Sequence, residues 1–219
     1  MELKYLSLDD RLYQYLRRFR SDSGDPILQQ LRAETTALGD ISRMQISEDQ
    51  ASFMALLVAA IGAKSAIEVG TFTGSSSLCV ARALPPGGRL LCLDQSEEWT
   101  AIARKYWTKA GVQDRIELRL GSAIALLQAL EPGLTFDFAF LDADKLEYDA
   151  YFELVLPRVR PNGLILFDNM LDDGKVAAEP IEDVRARSID AMNRKLLKDP
   201  RVETVLLSIA DGIQLCRKR

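Results

Sequence analysis

The sequence predicts an open α/β fold: a mostly parallel, seven-stranded sheet with helices on both faces, closed at one edge by an antiparallel C-terminal hairpin. Three observations predict it. From residue 65 onward short strand segments alternate with helical ones, the order that builds right-handed βαβ crossovers. The strand segments include continuous apolar runs, Phe138-Ala139-Phe140-Leu141 and Leu164-Ile165-Leu166-Phe167, which belong in a sheet buried on both faces. Finally, Ala210-Asp211-Gly212 links two last β segments through an Asp-Gly pair suited to a hairpin.

An N-terminal helical extension, residues 1–62, comes first. Leu12, Tyr15, Leu16 and Phe19 recur at helical spacing, with Asp9 or Asp10 supplying negative charge at the helix start. A second helix begins at Asp25-Pro26, acid at the cap and proline in the first turn, and stops near Gly39. Ser47-Glu48-Asp49-Gln50 reads as a capping box before Phe53, Leu56, Leu57, Ala60 and Ile61. Strands follow at 66–70, 89–94, 116–121, 136–143 and 164–169, separated by helices near 75–84, 96–110, 122–130 and 146–158. A helix at about 181–198 precedes the hairpin of 202–209 with 213–217. With no repeat and no Pro/Gly/Ser-rich linker, one domain spanning 1–219 is the economical reading, its N-terminal helices packed on or capping the core.

The chain has no histidine. A Ser-His-Asp triad, a histidine base and a His-liganded transition metal are therefore excluded, leaving carboxylates, Lys, Tyr and Cys for acid–base work. A hydrophobic content of 47% over 219 residues is enough for a sizeable core. The net charge of −4 gives no general attraction to nucleic acid or anionic lipid, and the basic stretches Arg17-Arg18 and Arg217-Lys218-Arg219 read as solvated. Cys79, Cys92 and Cys216 are scattered in apolar segments without C-x-x-C spacing, which points to reduced thiols in the core. No run of about 20 apolar residues is present to span a bilayer. Met1-Glu2-Leu3-Lys4 lacks the basic start of a secretory signal, so a cytoplasmic protein is expected.

Two strands end in acid. Asp142 closes one apolar run and Asp168-Asn169 the other, at the sheet edge where open α/β proteins bind ligands. Three hard oxygen donors, Asp142, Asp168 and Asn169, suit Mg²⁺, Mn²⁺ or Ca²⁺. For either segment alone, ordinary strand-end capping would be the simpler account. The first strand turns into its helix through Glu68-Val69-Gly70-Thr71-Phe72-Thr73-Gly74. Phe72 and Ser75 stand where a dinucleotide fingerprint starting at Gly70 needs glycine, and no Gly-Lys-Ser/Thr follows for a phosphate loop. The pattern suits a nucleoside ligand with a cationic centre and no phosphates, its positive end at Glu68. Asp94 ends the second strand, either accepting a ribose diol or capping the helix that follows at Ser96-Glu97-Glu98. Gly121-Ser122-Ala123 reads as a turn with a serine cap, with adenine contacts as an additional role.

Met44-Gln45-Ile46-Ser47, the Glu68 to Gly74 loop, Leu141-Asp142-Ala143-Asp144-Lys145 and Asp168-Asn169 together resemble the cation-dependent O-methyltransferases, in the bacterial branch of the caffeoyl-CoA and catechol O-methyltransferase family. The likeness runs from about Met44 through the Asp211-Gly212-Ile213 hairpin. It implies a Rossmann-like class I methyltransferase fold. It further implies that Ile46, Glu68, Gly70, Thr71, Ser76, Asp94, Ala123, Asp142 and Asp144 surround S-adenosylmethionine. Asp142, Asp168 and Asn169 would hold a divalent ion, usually Mg²⁺. The implied substrate is a small catechol-like, hydroxycinnamoyl or polyphenol molecule, and the implied assembly a homodimer.

In that chemistry adjacent phenolic hydroxyls chelate the cation, which acidifies them and fixes one oxygen beside the sulfonium methyl. Lys145 resembles the family's general base. A solvated lysine is too basic for this task at neutral pH, and the cation and sulfonium would correct that. Asp144 would position the sulfonium ligand or polarise Lys145. One departure concerns Met170-Leu171-Asp172-Asp173-Gly174, which puts Asp172 where many relatives carry tryptophan. The expected result is a more open or more polar substrate wall, with Asp172 or Asp173 as a solvated turn acid. Tyr151 and Phe152 are expected to mix core and site-wall roles, and Trp99 and Trp107 to pack in the core or at a dimer contact.

Overall fold

The computed structural model describes residues 4–219; Met1, Glu2 and Leu3, part of the segment read for a missing leader, lie outside the described residues. Three helices lead. α1 (Asp10–Arg18) starts at Asp9, whose carboxylate accepts the Leu12 N–H at 2.7 Å. α2 (Pro26–Thr36) starts at Asp25, which accepts the Ile27 and Leu28 amides, both at 2.9 Å. A 3₁₀ turn, Gly39–Met44, then carries the chain to α3 (Glu48–Ala60). Ser47 accepts the Gln50 N–H at 3.3 Å, as a capping box requires. Gln50 does not complete the box, because its side chain is turned into the protein and is 1% exposed.

The sheet contains β1 (Ser65–Val69), β2 (Arg89–Asp94), β3 (Ile116–Leu120), β4 (Phe136–Leu141), β5 (Val159–Phe167), β6 (Val202–Leu207) and β7 (Ile213–Lys218), in spatial order β3-β2-β1-β4-β5-β7-β6. The pairs among β1 to β5 are parallel; β7 lies antiparallel between β5 and β6. Strand order reverses between β1 and β4, which opens a crevice at the C-terminal ends of those strands. The crossovers are α4 (Ser75–Ala83), α5 (Glu97–Lys109), α6 (Ala123–Gln128) and α7 (Tyr148–Val155), and α8 (Val184–Lys198) precedes β6.

Alternate residues of each strand feed two cores. Ile67, Leu93, Ala139 and Phe167 pack toward α6, α7 and α8, with Tyr151, Phe152 and Ile189. Ala66, Cys92, Phe138 and Phe140 pack toward α3, α4 and α5, with Met54, Leu78 and Trp107. Tyr151 and Phe152 are thus core side chains, and Trp107 is fixed by its indole N–H donating to Ser77 Oγ at 3.0 Å. Trp99 instead stacks edge-on against Phe72 of the glycine loop, ring centroids 5.2 Å apart. All three cysteines are buried and free. No helix among the described residues is long and apolar enough to cross a membrane.

Several boundaries differ from expectation by a few residues, and two of them have a clear local cause. β5 begins at Val159, ahead of the expected start at 164, through an irregular entry at Pro161, Asn162 and Gly163, with Asn162 at φ 61° and a register shift between Phe136 and Phe138. The helix expected at 146–158 is shorter: α7 lies between two 3₁₀ turns, Lys145–Glu147 and Leu156–Arg158, the second containing Pro157.

At one point the crevice tolerates no side chain. Gly70 has φ 90°, and a Cβ there would overlap the Asp142 carbonyl oxygen and sit 2.7 Å from its carbon. We expect Gly70→Ala to cost about 3 kcal/mol or more in urea unfolding, or to block folding. Gly87→Ala, with φ 80° but open space around it, should cost only about 1 kcal/mol.

Candidate active site

Strand ends come into step through the backbone ladder. Gly70 N–H donates to Leu93 O at 2.9 Å, Asp142 N–H to Val69 O at 2.8 Å and Asp168 N–H to Leu141 O at 3.1 Å. Residues following β2, β1, β4 and β5 thereby share one edge. A 3₁₀ turn swings Lys145 back over the β4 end, where Nζ meets Asp142 Oδ1 at 2.6 Å. Lys145 is only 8% exposed, so it is no ordinary surface lysine. Asp144 faces solvent and caps this turn, its Oδ1 accepting the Leu146 N–H at 2.9 Å.

Beneath the lysine, Tyr148 braces the two strands. Its hydroxyl donates to the Leu141 and Asp168 carbonyls (2.9 and 3.0 Å), and its ring lies 5.0 Å from Lys145 Nζ. Asp168 is buried, and burial together with the Asp142 charge pushes its carboxyl up to about 7, against Lys145, Gln50 and the Asn169 N–H. Burial also raises Asp142, with Lys145 opposing. Neither acid can be ionised without cost in this environment. Among the described residues no group of three or more His, Cys, Asp or Glu side chains forms a metal cage. The available donors are two desolvated carboxylates and the Asn169 amide, all oxygen, with Lys145 paired to one acid. A hard divalent cation fits that set, since it supplies the positive charge that Asp168 lacks.

The glycine loop forms the other half. Glu68 in β1 is 1% exposed, and burial pushes its carboxyl up to about 7 despite the Ser76, Cys92 and Thr71 side chains. Cys92 Sγ donates to Glu68 Oε2 at 3.4 Å, while Glu68 Oε1 and Thr71 Oγ1 have no partner within the protein. Two orphaned buried oxygens in one loop mark a place where a polar ligand belongs. Asp94 is no helix cap; Ser96 caps α5 by accepting the Trp99 N–H at 3.1 Å. Asp94 Oδ2 instead accepts the Thr71 and Phe72 amides, both at 2.8 Å, and Oδ1 accepts the Ser96 N–H at 2.8 Å. These bonds leave about one of its four lone-pair sites open to a ligand.

At the end of β3, Gly121 N–H donates to Asp94 O at 2.8 Å, which brings Ser122 and Ala123 beside the same edge. Ser122 occupies the cap position of α6 without making a side-chain cap bond. Ile46 is buried, its carbonyl accepting from Arg32 Nη2 at 3.2 Å. The structure therefore brings Glu68, Gly70, Thr71, Ser76 and Asp94 around one loop and Asp142, Lys145, Asp168 and Asn169 around the next.

Asp172 departs from its expected role as a turn acid. It is 2% exposed, its Oδ1 pairs with Arg185 Nε of α8 at 3.2 Å, and its Oδ2 has no partner. Asp173 is the exposed acid of the turn. Sequence reasoning overlooked Gln50, Tyr148, Arg185 and Asp211 as site residues. Gln50 was absorbed into the capping box and Asp211 into the hairpin turn. Tyr148 had one usable sign, its place three residues after Lys145.

An open sheet of this order, with acids at the ends of β1, β2, β4 and β5 and a phosphate-free glycine loop, defines a class I methyltransferase. Comparison with known proteins narrows the class. A sequence model described as O-methyltransferase matches residues 19–219. "Probable caffeoyl-CoA O-methyltransferase 2" of Dictyostelium discoideum is 44% identical over 180 residues, 80% of this chain and 78% of that one. Caffeoyl-CoA O-methyltransferase of Eucalyptus gunnii is 37% identical over 224 residues, 98% and 90% of the two chains. The crystal structure of an O-methyltransferase from Bacillus cereus in complex with SAH superimposes with a TM-score of 0.87 at 31% identity, covering 95% of this chain and 97% of that one. The chain belongs to the O-methyltransferase family, alongside the caffeoyl-CoA O-methyltransferases.

Burial of Glu68 makes a prediction about pH. Folded, it keeps its proton up to about 7; unfolded, it releases it near 4.5. Its stabilising contribution is complete below the lower value and is lost as pH rises through the upper one. Without cofactor or cation, this group should lower stability by roughly 3 kcal/mol between pH 5 and 8. Urea titrations of Glu68→Gln should show that part of the slope removed.

Proposed function

We propose that this chain transfers the methyl group of S-adenosylmethionine to a hydroxyl of a catechol-like, hydroxycinnamoyl or polyphenol substrate with the aid of a divalent cation. The observation that carries this reading is the pair of desolvated acids, Asp142 and Asp168, at neighbouring strand ends beside Lys145. Asp142, Asp168 and Asn169 would hold the cation, with Mg²⁺ the expected ion. When bound, that ion would acidify the adjacent phenolic hydroxyls and fix their orientation.

Glu68, Thr71 and Ser76 would face the polar, cationic end of S-adenosylmethionine, where Glu68 Oε1 and Thr71 Oγ1 stand unpartnered. Gly70 allows its close approach to the backbone, and Asp94 offers its remaining acceptor site to the ribose. Ile46, Ala123, Asp142 and Asp144 complete the surroundings in this reading. With Asp142 engaged in holding the cation, Lys145 would first release a proton to solvent, and its neutral Nζ would then take the phenolic proton. The new C–O bond forms as the S–C bond breaks in a single displacement, leaving S-adenosylhomocysteine, and the Lys145 proton passes to solvent. The buried side chains of Tyr148 and Phe167 would form a dry floor beneath the reacting atoms. The Asp172–Arg185 pair would give the substrate wall a polar stretch.

A homodimer belongs to the same reading. α1 buries no side chain, and Tyr15, Leu16 and Phe19 expose an apolar face that a second copy would cover.

Assays of catechols, hydroxycinnamates and flavonoids with Mg²⁺ and with chelator test the chemistry. Chelator should abolish turnover, Asp142→Ala and Asp168→Ala should lower it at least about 100-fold, and Lys145→Ala should lower it about 100-fold or more with S-adenosylmethionine affinity retained. Full activity in chelator would exclude the cation. Light scattering should return about twice the 24.4 kDa chain mass; a monomer mass would exclude the dimer.

A further inference from the structure

The inner face of α2 carries a polar side chain that its helix does not need. Thr35 is fully buried, as is Leu31 one turn before it. A buried hydroxyl persists only where hydrogen bonds offset its desolvation. Thr35 Oγ1 lies 2.9 Å from the Leu31 carbonyl oxygen, 2.8 Å from Thr73 Oγ1 and 3.3 Å from Gln45 Nε2.

These partners fix the direction of each bond. A carbonyl only accepts, an amide nitrogen only donates, and a hydroxyl has one proton to give. All three contacts are therefore bonds in one arrangement alone: Thr35 donates to Leu31 O and accepts from the Thr73 hydroxyl and from Gln45 Nε2. Its oxygen is then fully used.

The two incoming bonds arrive from different segments. Thr73 belongs to the glycine loop, where Phe72 at φ 51° and Gly74 at φ 85° hold a left-handed backbone that the surroundings must maintain. Thr73 is fully buried, and Thr35 is its only side-chain partner among the described residues. Gln45 precedes Ile46 in the extended link between the 3₁₀ turn and α3. One turn before Thr35 on α2, Arg32 Nη2 donates to Ile46 O at 3.2 Å while its Nε pairs with Glu48 at 3.0 Å. Positions 32 and 35 of α2 thus hold the Gln45–Ile46 link, and position 35 also holds the glycine loop.

We propose that Thr35 is a positioning residue for the cofactor site: its hydroxyl ties the glycine loop to the Ile46 link, the two walls between which S-adenosylmethionine would lie. This inference rests on the cofactor placement proposed above and adds a residue that acts from behind both walls. Segments already held in their bound shape lose less freedom when the ligand arrives, so the effect belongs to cofactor affinity.

Calorimetric titration of the full chain with S-adenosylhomocysteine tests the proposal without turnover. Wild type should bind, and Asp94→Ala should weaken binding at least about 10-fold. No binding by wild type, or equal binding by both, overturns the cofactor placement and this inference with it. Given the expected pair of results, Thr35→Val, which keeps the side-chain shape and removes the hydroxyl, should weaken binding about 10-fold. Thr35→Ser should recover most of that loss. Thr73→Val breaks the same bond from the loop side, so in its background Thr35→Val should bring at most about a 3-fold further loss. Hydrogen exchange at the Gly74 amide, which donates to Thr71 O at 2.9 Å, should rise in ligand-free Thr35→Val. Ile189→Val, a change in the opposite core, should lower stability and leave affinity unaltered. Gln45→Ala removes only the link's arm, should weaken binding about 3-fold or more, and decides the matter if Thr35→Val does not fold. Wild-type affinity in Thr35→Val or in Gln45→Ala, no recovery in Thr35→Ser, full additivity with Thr73→Val, or a matching loss in Ile189→Val would overturn the positioning role.

Discussion

A carboxylate removed from water must find a compensating charge or keep its proton, and this rule organises the crevice around Asp142 and Asp168. The two acids lie on adjacent parallel strands that end one ladder bond apart. Lys145 folds back to Asp142, Tyr148 ties the strand ends beneath them, and the Asn169 backbone N–H donates to Asp168 Oδ1 at 2.7 Å. Partial compensation suits a binding site better than complete compensation would. A fully paired Asp168 would have no reason to accept an ion, whereas an unsupported one would destabilise the sheet.

The glycine loop is bound to this pair and to the N-terminal helices. Asp94 clamps it from β2, Gly70 presses against Asp142, and the Thr73 hydroxyl lies 2.8 Å from that of Thr35 in α2. α2 is itself fixed to α5 by Glu34, which receives Lys105 and the Tyr106 hydroxyl, and to α4 by the Asp25–Arg82 pair. Glu48 gathers Arg17, Arg20 and Arg32. Single exposed pairs contribute little, but a shared, half-buried acid with three guanidinium partners joins three helices in one arrangement. The N-terminal extension thus acts on the loop geometry as well as covering the core.

Much of this architecture was legible in the sequence because its signals were local. Apolar runs ending in Asp142 and Asp168 located the site edge, and the Asp25 and Ser47 caps marked their helix starts. What escaped depended on contacts far apart in the chain. Gln50 carries the spacing of a capping box, yet its side chain is buried inside the protein with Nε2 unpartnered. Asp172 looks like a turn acid until Arg185 arrives from α8 to bury it. Asp94 kept its predicted place at the strand end, but its bonds to Thr71 and Phe72 join two loops that sequence reading treats separately. β5 begins five residues before the expected 164 because its entry through Pro161-Asn162-Gly163 is irregular and carries no apolar run to signal a strand.

The position of β7 also bears on the order in which the molecule is made. Synthesis runs from N to C, so β1 to β6 and their helices emerge before the strand that must insert between β5 and β6. Until then the side of β5 that β7 will cover is an open edge, and the 169–174 loop has no hairpin tip to hold it. The cofactor half can assemble early from near neighbours. The half of the candidate site around Asp168 and the 169–174 loop is a late product of biosynthesis, and a nascent chain halted before Ile213 would carry a glycine loop beside an unfinished second half.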